Sequence, residues 1–293
     1  MSDILTDLYC FVDDFWKIFA PEWEKHLIDN RLKKRKRHSE LSISEIMTII
    51  VHFHQSHYRN FKHYYLQNVL LHFKHYFPKA VSYSRFITLM KSAFVPLMFL
   101  MHLLKGEKTG VYFTDSTPIR ACHIKRSNQN RVFKDLARKA KSTIGWFFGF
   151  KLHLVINDKG EIMAFQFTVA NIDDRQPTLD LMKNLVGKLI GDRGYISKAL
   201  SEQLLEQGVQ LITRTRRNMK NKLISLFDKW LLRKRAIIES VNDQLKNISQ
   251  IEHTRHRSIW NFSVNLLAAL IAYSLQPKKP SISRDEFAEL LVL

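Results

Sequence analysis

The sequence predicts an all-α N-terminal region followed by an α/β domain built on a mixed five-stranded sheet. Three observations carry this. Residues 1 to about 105 place apolar side chains at helical spacing, punctuated by helix caps. From about Gly110 the period becomes two: Val111, Phe113 and Asp115 point one way, Tyr112 and Thr114 the other. Beyond that strand the chain reads as a strand hairpin, a helix, a strand, a helix, a strand and then helices.

Within the first region, Asp3 to Phe19 carries an apolar and aromatic helical pattern that Pro21 is expected to end. A basic run, Arg31 to Arg37, follows. Ser42 and Glu45 form a capping box ahead of Ile46, Ile49 and Ile50. A further helix is expected from about Asn60 to Tyr76, before Pro78, and another after Ser82 with Arg85 in its first turn. This succession is compatible with helix-turn-helix DNA binding, the helix after Ser82 being the candidate reader.

In the second region, His123 to Lys141 reads as a basic loop and Trp146 to Ile156 as a long strand. Asn157 to Gly160 is a turn, with Asp158 a turn residue, and Ile162 to Ala170 returns as a third strand. A helix is expected from Pro177 to about Gly187, a short strand over Lys188 to Asp192, a helix over Ser197 to Gln207 and a last strand over Val209 to Thr213. One helix then runs from Leu223 to about Asn247 and another from Ser258 to Leu275. That order is the order of the ribonuclease-H-like fold. The expected division is residues 1–105, 106–275 and a tail, 276–293.

The charge narrows the partner. Against 27 Asp and Glu stand 46 Lys and Arg, for a net +19. A soluble protein this basic meets a polyanion, and nucleic acid is the first candidate. Two cysteines, Cys10 and Cys122, make neither a disulfide framework nor a four-thiolate zinc site, and suit a reducing cytoplasm. The acids Asp3 and Asp7 argue against a signal peptide, and the longest apolar run, Ala93 to Leu104, is too short to span a bilayer. No membrane role is expected. The histidines between His52 and His75 do not fall at metal-ligand spacing.

Asp115 ends its strand on the side the apolar residues use, and a buried carboxylate needs a partner. Asp192 ends the expected fourth strand, bracketed by Gly191 and Gly194, which would leave room for a ligand. At about 100° per residue, Arg235, Glu239, Asn242 and Lys246 share one arc of their helix, opposite Ile238, Val241 and Leu245. Three such acids suit phosphodiester chemistry, in which two Mg²⁺ about 3.5–4 Å apart activate an attacking oxygen and stabilise a leaving one. Mg²⁺ prefers carboxylate oxygens.

Over essentially its whole length the chain resembles the DDE transposases of bacterial insertion sequences, closest to the insertion-sequence nine-eighty-two group. The resemblance rests on TDSTP (114–118), GWFFGFKLHLV (145–155), ANIDDR (170–175), GDRGY (191–195) and RAIIESVNDQLK (235–246). Arg235, Glu239 and Lys246 match a signature of related transposases, although Leu232 stands where that signature has a tyrosine. The resemblance implies Asp115, Asp192 and Glu239 as catalytic acids and metal ligands. It also implies two Mg²⁺ ions, for which Mn²⁺ can substitute, and double-stranded DNA as substrate: the element's terminal inverted repeats and the target. A homodimer holding two ends, acting on the nucleoid in a bacterial cytoplasm, follows from the same resemblance. Arg85, Arg193, Arg214, Arg216, Arg217, Arg235 and Lys246 are the candidate DNA contacts. Alternatives are an inactive or domesticated DNA-binding relative and a nuclease of the same fold without strand transfer.

Some residues admit two readings. Asp173 or Asp174 could replace Asp192 as second acid, and Asp243 could reach a metal. Lys151 and His153 could face the site or solvent. Trp146, Tyr195 and Trp230 could stack on unpaired bases or pack in the core, and His253 and His256 could meet DNA or water.

Overall fold

A computed structural model describes residues 4–30, 39–142, 145–216, 218–219, 223–252, 256 and 258–283. The basic run Arg31–Arg37 and the candidates Arg217 and His253 lie outside the described residues. In chain order the elements are α1 (Ile4–Asp29), α2 (Ile43–Gln55), α3 (Phe61–Tyr64), α4 (Tyr83–Leu89), α5 (Phe94–Leu103), β1 (Val111–Cys122), β2 (Arg138–Ser142), β3 (Gly145–Asn157), β4 (Ile162–Val169), α6 (Thr178–Leu181), β5 (Gly187–Gly191), α7 (Lys198–Glu206), β6 (Val209–Thr213), α8 (Leu226–Lys234), α9 (Ala236–Asn247) and α10 (Ile259–Ser274). Two compact units result: residues 1–104 with 245–275, and residues 105–244 with 276–293.

The first unit is helical. The Ser42 capping box forms as expected, its hydroxyl accepting from Glu45 N–H and the Glu45 carboxylate accepting from Ser42 N–H. Pro21 does not end α1, which continues to Asp29. Phe15, Phe19 and Trp23 stack ring on ring at 5.4 and 6.0 Å along one face, carrying the helix past the hydrogen bond that proline cannot donate. The helix expected over 60–76 is instead α3 followed by a π-helical stretch, Tyr65–His72. Tyr64 and Tyr65 are both fully buried there, an arrangement in which ring packing shapes the local turn.

The unit boundary differs from the expected one at α10. From Phe262 to Tyr273 this helix is buried almost all round, and it packs on α2 and α5. A helix that is apolar on every side must be enclosed, and the first unit encloses it. The run Tyr83–Leu103 is long and apolar enough, by length and composition alone, to cross a membrane. Here α4 continues through a 3₁₀ turn into α5, so the run is longer than Ala93–Leu104 suggested, and Phe86, Met90, Leu97 and Leu100 are buried in the helical unit.

The second unit holds six strands in one sheet, ordered β2-β3-β1-β5-β6, with β4 beside β2 on the outer edge of β3. β1 and β3 are antiparallel, whereas β1, β5 and β6 run parallel. This mixed sheet with flanking helices has the expected ribonuclease-H-like order, plus one strand. The extra strand is β2, in the segment expected to be a loop; its sequence, Arg-Lys-Ala-Lys-Ser, offers no apolar alternation, and its pairing with β3 makes it a strand. On one face Tyr112, Val155, Leu181, Met182, Leu189, Leu200 and Leu204 form a core under α6 and α7.

Two expected helices are cut short. α6 lasts one turn, and Asn184 turns the chain with φ +67°. The helix from Leu223 breaks at Arg235 into α8 and α9, whose Ile238 N–H donates to the Arg235 carbonyl. Residues 276–283 belong to the second unit, where Ile282 N–H donates to the carbonyl of Asp158 in the β3–β4 turn.

Candidate active site

Asp115 does not end its strand: β1 runs on to Cys122 paired with β3, and Asp115 stands two residues past Phe113, where the pairing with β5 stops. The parallel register of β1 with β5 pairs Val111 with Lys188 and Phe113 with Ile190, an offset of 77 residues. Asp115 and Asp192 differ by the same 77, so the two acids come level just past the last paired residues. Neighbouring strands lie about 4.8 Å apart. The acids interact accordingly. Burial pushes the Asp115 carboxyl up to about 6, the Ser116 N–H and the Arg235 guanidinium oppose this, and the charges of Asp192 and Asp174 add to it.

Asp192 is exposed and caps the short turn Arg193–Tyr195, its Oδ1 accepting from Gly194 N–H at 2.7 Å. The glycines around it let the turn close tightly. A Cβ on Gly191 would stand 3.1 Å from the Tyr195 ring, and one on Gly194 would stand 2.9 Å from Asp192 Oδ1. Tyr195 is buried, and its phenol is pushed far up, first by burial and then by Asp115, Asp174 and Asp192.

α9 brings its polar arc to Asp115. The contact is made by Asn242, whose Nδ2 donates to Asp115 Oδ2 at 3.0 Å. Asn242 is buried, and its Oδ1 finds no hydrogen-bond partner among the described residues. Glu239, one turn earlier on the same face, accepts a hydrogen bond from Arg235 instead and leaves 56 % of its side chain exposed. The structure therefore brings Asp115 and Asp192 together and holds Glu239 aside. Among the described residues, no three His, Cys, Asp or Glu side chains stand close enough to share an ion.

The rival acids are engaged elsewhere. Asp173 is clasped by Arg175 through both carboxylate oxygens, which lowers its carboxyl to about 2. Asp174 accepts from Lys151 Nζ at 2.8 Å and lies 3.8 Å from His153 Nδ1. In the β1–β3 register Asp115 pairs with Leu154 and Ser116 with His153, so Lys151 and His153 occupy the sheet face opposite Asp115. Burial draws His153 down to about 4, against the pull of Asp174 and with that of Lys151, and keeps the imidazole neutral. Asp243 is exposed on α9.

The candidate DNA contacts separate into groups. Arg193, Arg214 and Arg216 are exposed, and Arg216 donates to the Arg193 carbonyl at 3.4 Å, beside Asp192. Arg214 donates to the Leu232 carbonyl, where the tyrosine of the related signature would stand. Arg235 is held by Glu239, and Lys246 pairs with Glu252 at 3.2 Å. In the helical unit, Arg85 is exposed in the first turn of α4 under the Ser82 cap. Of the aromatic candidates, Tyr195 and Trp230 are buried, while Trp146 is 62 % exposed. His256 is half-buried, and its imidazole is drawn down to about 4, first by burial and then by His54.

Sequence reasoning placed Asn242 on the right arc but gave it no role. Nothing in a lone amide says that it will touch an acid 127 residues away. The Arg235–Glu239 pair carried a signal, because an i,i+4 spacing of opposite charges favours pairing on a helix.

Residues 105–259, more than half of the chain, match the model of the transposase DDE domain. The chain belongs to that family: it is a DDE transposase, a polynucleotidyl transferase and endonuclease. No curated protein matches the sequence. Among solved structures, a chain in the crystal structure of the Mos1 strand transfer complex aligns over 76 % of this chain and 82 % of its own, at 11 % identity and a TM-score of 0.25. That likeness is too slight to bear on the site.

DDE transposases use divalent metal ions, and the residues here fit such an ion. The donors are carboxylates, which suit a hard cation. Two of them, Asp115 within β1 and Asp192 just after β5, repel each other, and a cation relieves that repulsion. Glu239 shares a helix face with Asn242, the residue that touches Asp115.

Proposed function

We propose that this protein is the transposase of an insertion sequence, cutting phosphodiesters at the element's ends and joining the freed 3′-OH groups to target DNA. The observation that supports this reading is the electrostatic coupling of Asp115 on central β1 with Asp192 after neighbouring β5, beside the face of α9 that bears Asn242 and Glu239. Asp115, Asp192 and Glu239 are the catalytic acids. When bound to them, Mg²⁺ or Mn²⁺ supplies activation of the attacking oxygen and stabilisation of the leaving one.

The chain's own residues do the rest. Asn242 holds the Asp115 carboxylate in one orientation. Arg235 keeps Glu239 paired until DNA and metal enter, then faces the phosphate backbone. Arg193, Arg214 and Arg216 hold the scissile strand beside Asp192 through its phosphates. In cleavage, water attacks phosphorus, the P–O bond to the 3′ oxygen breaks, and the 3′-OH is released. In joining, that hydroxyl attacks a target phosphodiester and the target's own 3′ oxygen departs. The helical unit, through Arg85 and its neighbours, grips the terminal inverted repeats. Two ends must be held together, so the working species is a dimer.

The test uses pre-cut duplexes carrying the element's ends with free 3′-OH groups, incubated with a plasmid target and Mg²⁺. Joined product that disappears in the Asp115→Asn protein is expected. Cleavage of intact ends without any joining from pre-cut ends would reduce the protein to a nuclease.

A further inference from the structure

The two-stranded ribbon formed by β2 and the start of β3 presents Trp146 to solvent among exposed lysines. Register places Lys141 directly opposite Trp146 and Lys139 opposite Phe148. Side chains paired across a ladder share a face, so the indole stands beside two lysines on one side of the ribbon. Trp146 is 62 % exposed, whereas Phe147 and Phe148 next to it are buried. An indole left open on a strand whose following rings are enclosed is not serving the core. From Arg120 to Ser142 the sequence carries eight Lys and Arg against one acid, Asp135. The surroundings thus attract a phosphate backbone, and the ring offers a face for a base.

The row of side chains that carries Trp146 starts opposite Asp115. Asp115 pairs with Leu154 on β3, and Leu154, Leu152, Phe150, Phe148 and Trp146 alternate onto the same face. Eight residues of strand put Trp146 about 26 Å from the position opposite Asp115. Leu154, Leu152, Phe150 and Phe148 are buried, so Trp146 is the first side chain of that row open to solvent.

Resting on the transposase reading, we propose that Trp146 stacks on an unpaired base of the DNA substrate while Lys141 meets its phosphate, so that the ribbon selects DNA in which strands have separated. Stacking is indifferent to base identity, because every base has a π face. The selection is therefore for unpaired structure rather than sequence.

The experiment measures binding of the full-length protein, in EDTA so that no strand is cut, to a duplex with a single-stranded extension and to the same duplex blunt-ended. Wild type is expected to prefer the extended probe. Trp146→Ala loses about 5- to 150-fold affinity for the extended probe and little for the blunt one, whereas Trp146→Phe retains most of the preference. Lys141→Ala weakens both probes alike and lowers the salt slope by about one. Far-UV circular dichroism checks that each variant is folded. Equal binding of both probes by wild type, or an equal loss on both by folded Trp146→Ala, overturns the assignment. A protein that binds with this preference yet never joins ends defeats the transposase reading alone.

Discussion

Replacing Asp115 by Asn separates the chemistry of this residue from its effect on the fold. Burial and Asp192 hold its carboxyl at about 6, against an ordinary 3.8. A gap of about 2 pH units corresponds to about 3 kcal/mol between the protonated and charged forms. The sign follows from linkage. Because the folded-state value is raised, the native protein binds more protons than the unfolded chain between about pH 4 and 6. Stability is fully present below the ordinary value and is lost as pH rises through about 6. An amide cannot ionise, and it can still accept the hydrogen bond from Asn242. In EDTA at pH 8, Asp115→Asn is therefore expected to be more stable than wild type by about 2–3 kcal/mol, and by little or nothing near pH 4. Urea unfolding at the two pH values measures this through the midpoint, with the m-value unchanged. Mg²⁺ should narrow the gap at pH 8 by stabilising wild type alone. A variant less stable than wild type at pH 8, or a difference that persists unchanged to pH 4, refutes the placing of this carboxyl.

Three further changes test the surroundings. Asn242→Ala removes the donor to Asp115 and should lower joining by about 5- to 150-fold, matching the loss of about 1–3 kcal/mol for a hydrogen bond to a charged group, with DNA binding retained in a mobility-shift assay. Glu239→Gln breaks an exposed ion pair and should change stability by less than about 1 kcal/mol while abolishing cleavage, read by urea unfolding and by end-cleavage gels. Gly149→Ala would set a Cβ 2.1 Å from the Ile119 carbonyl oxygen, where the β1–β3 register shifts, and should destabilise by about 1–3 kcal/mol or prevent folding.

Much of the second unit could be read directly. Val111 to Asp115 alternates, Ser197 caps α7, and β6 occupies Val209–Thr213, because these segments are half-buried or capped and bear the matching side chains. The separation of 77 residues between Asp115 and Asp192 equals the offset of the β1–β5 ladder, and only strand pairing gives that number meaning. What stayed hidden depends on partners distant in sequence. β2 is a strand because β3 pairs with it, not because its basic residues favour one. Pro21 is a stop signal in the sequence, but α1 runs through it, with the Phe19–Trp23 ring stack spanning the missing hydrogen bond. Gly191 and Gly194 let the GDRGY turn close on Tyr195 and Asp192, contacts that no spacing in the sequence announces.

The most direct measurement is a crystal structure of the protein soaked with Mn²⁺ and a cut DNA end, with the ions located by anomalous scattering. The proposed site places Mn²⁺ on the carboxylates of Asp115 and Asp192, with Glu239 released from Arg235 and turned toward the metal. Ions bound through Asp174, or Asp115 left without metal while Glu239 stays paired with Arg235, would contradict it.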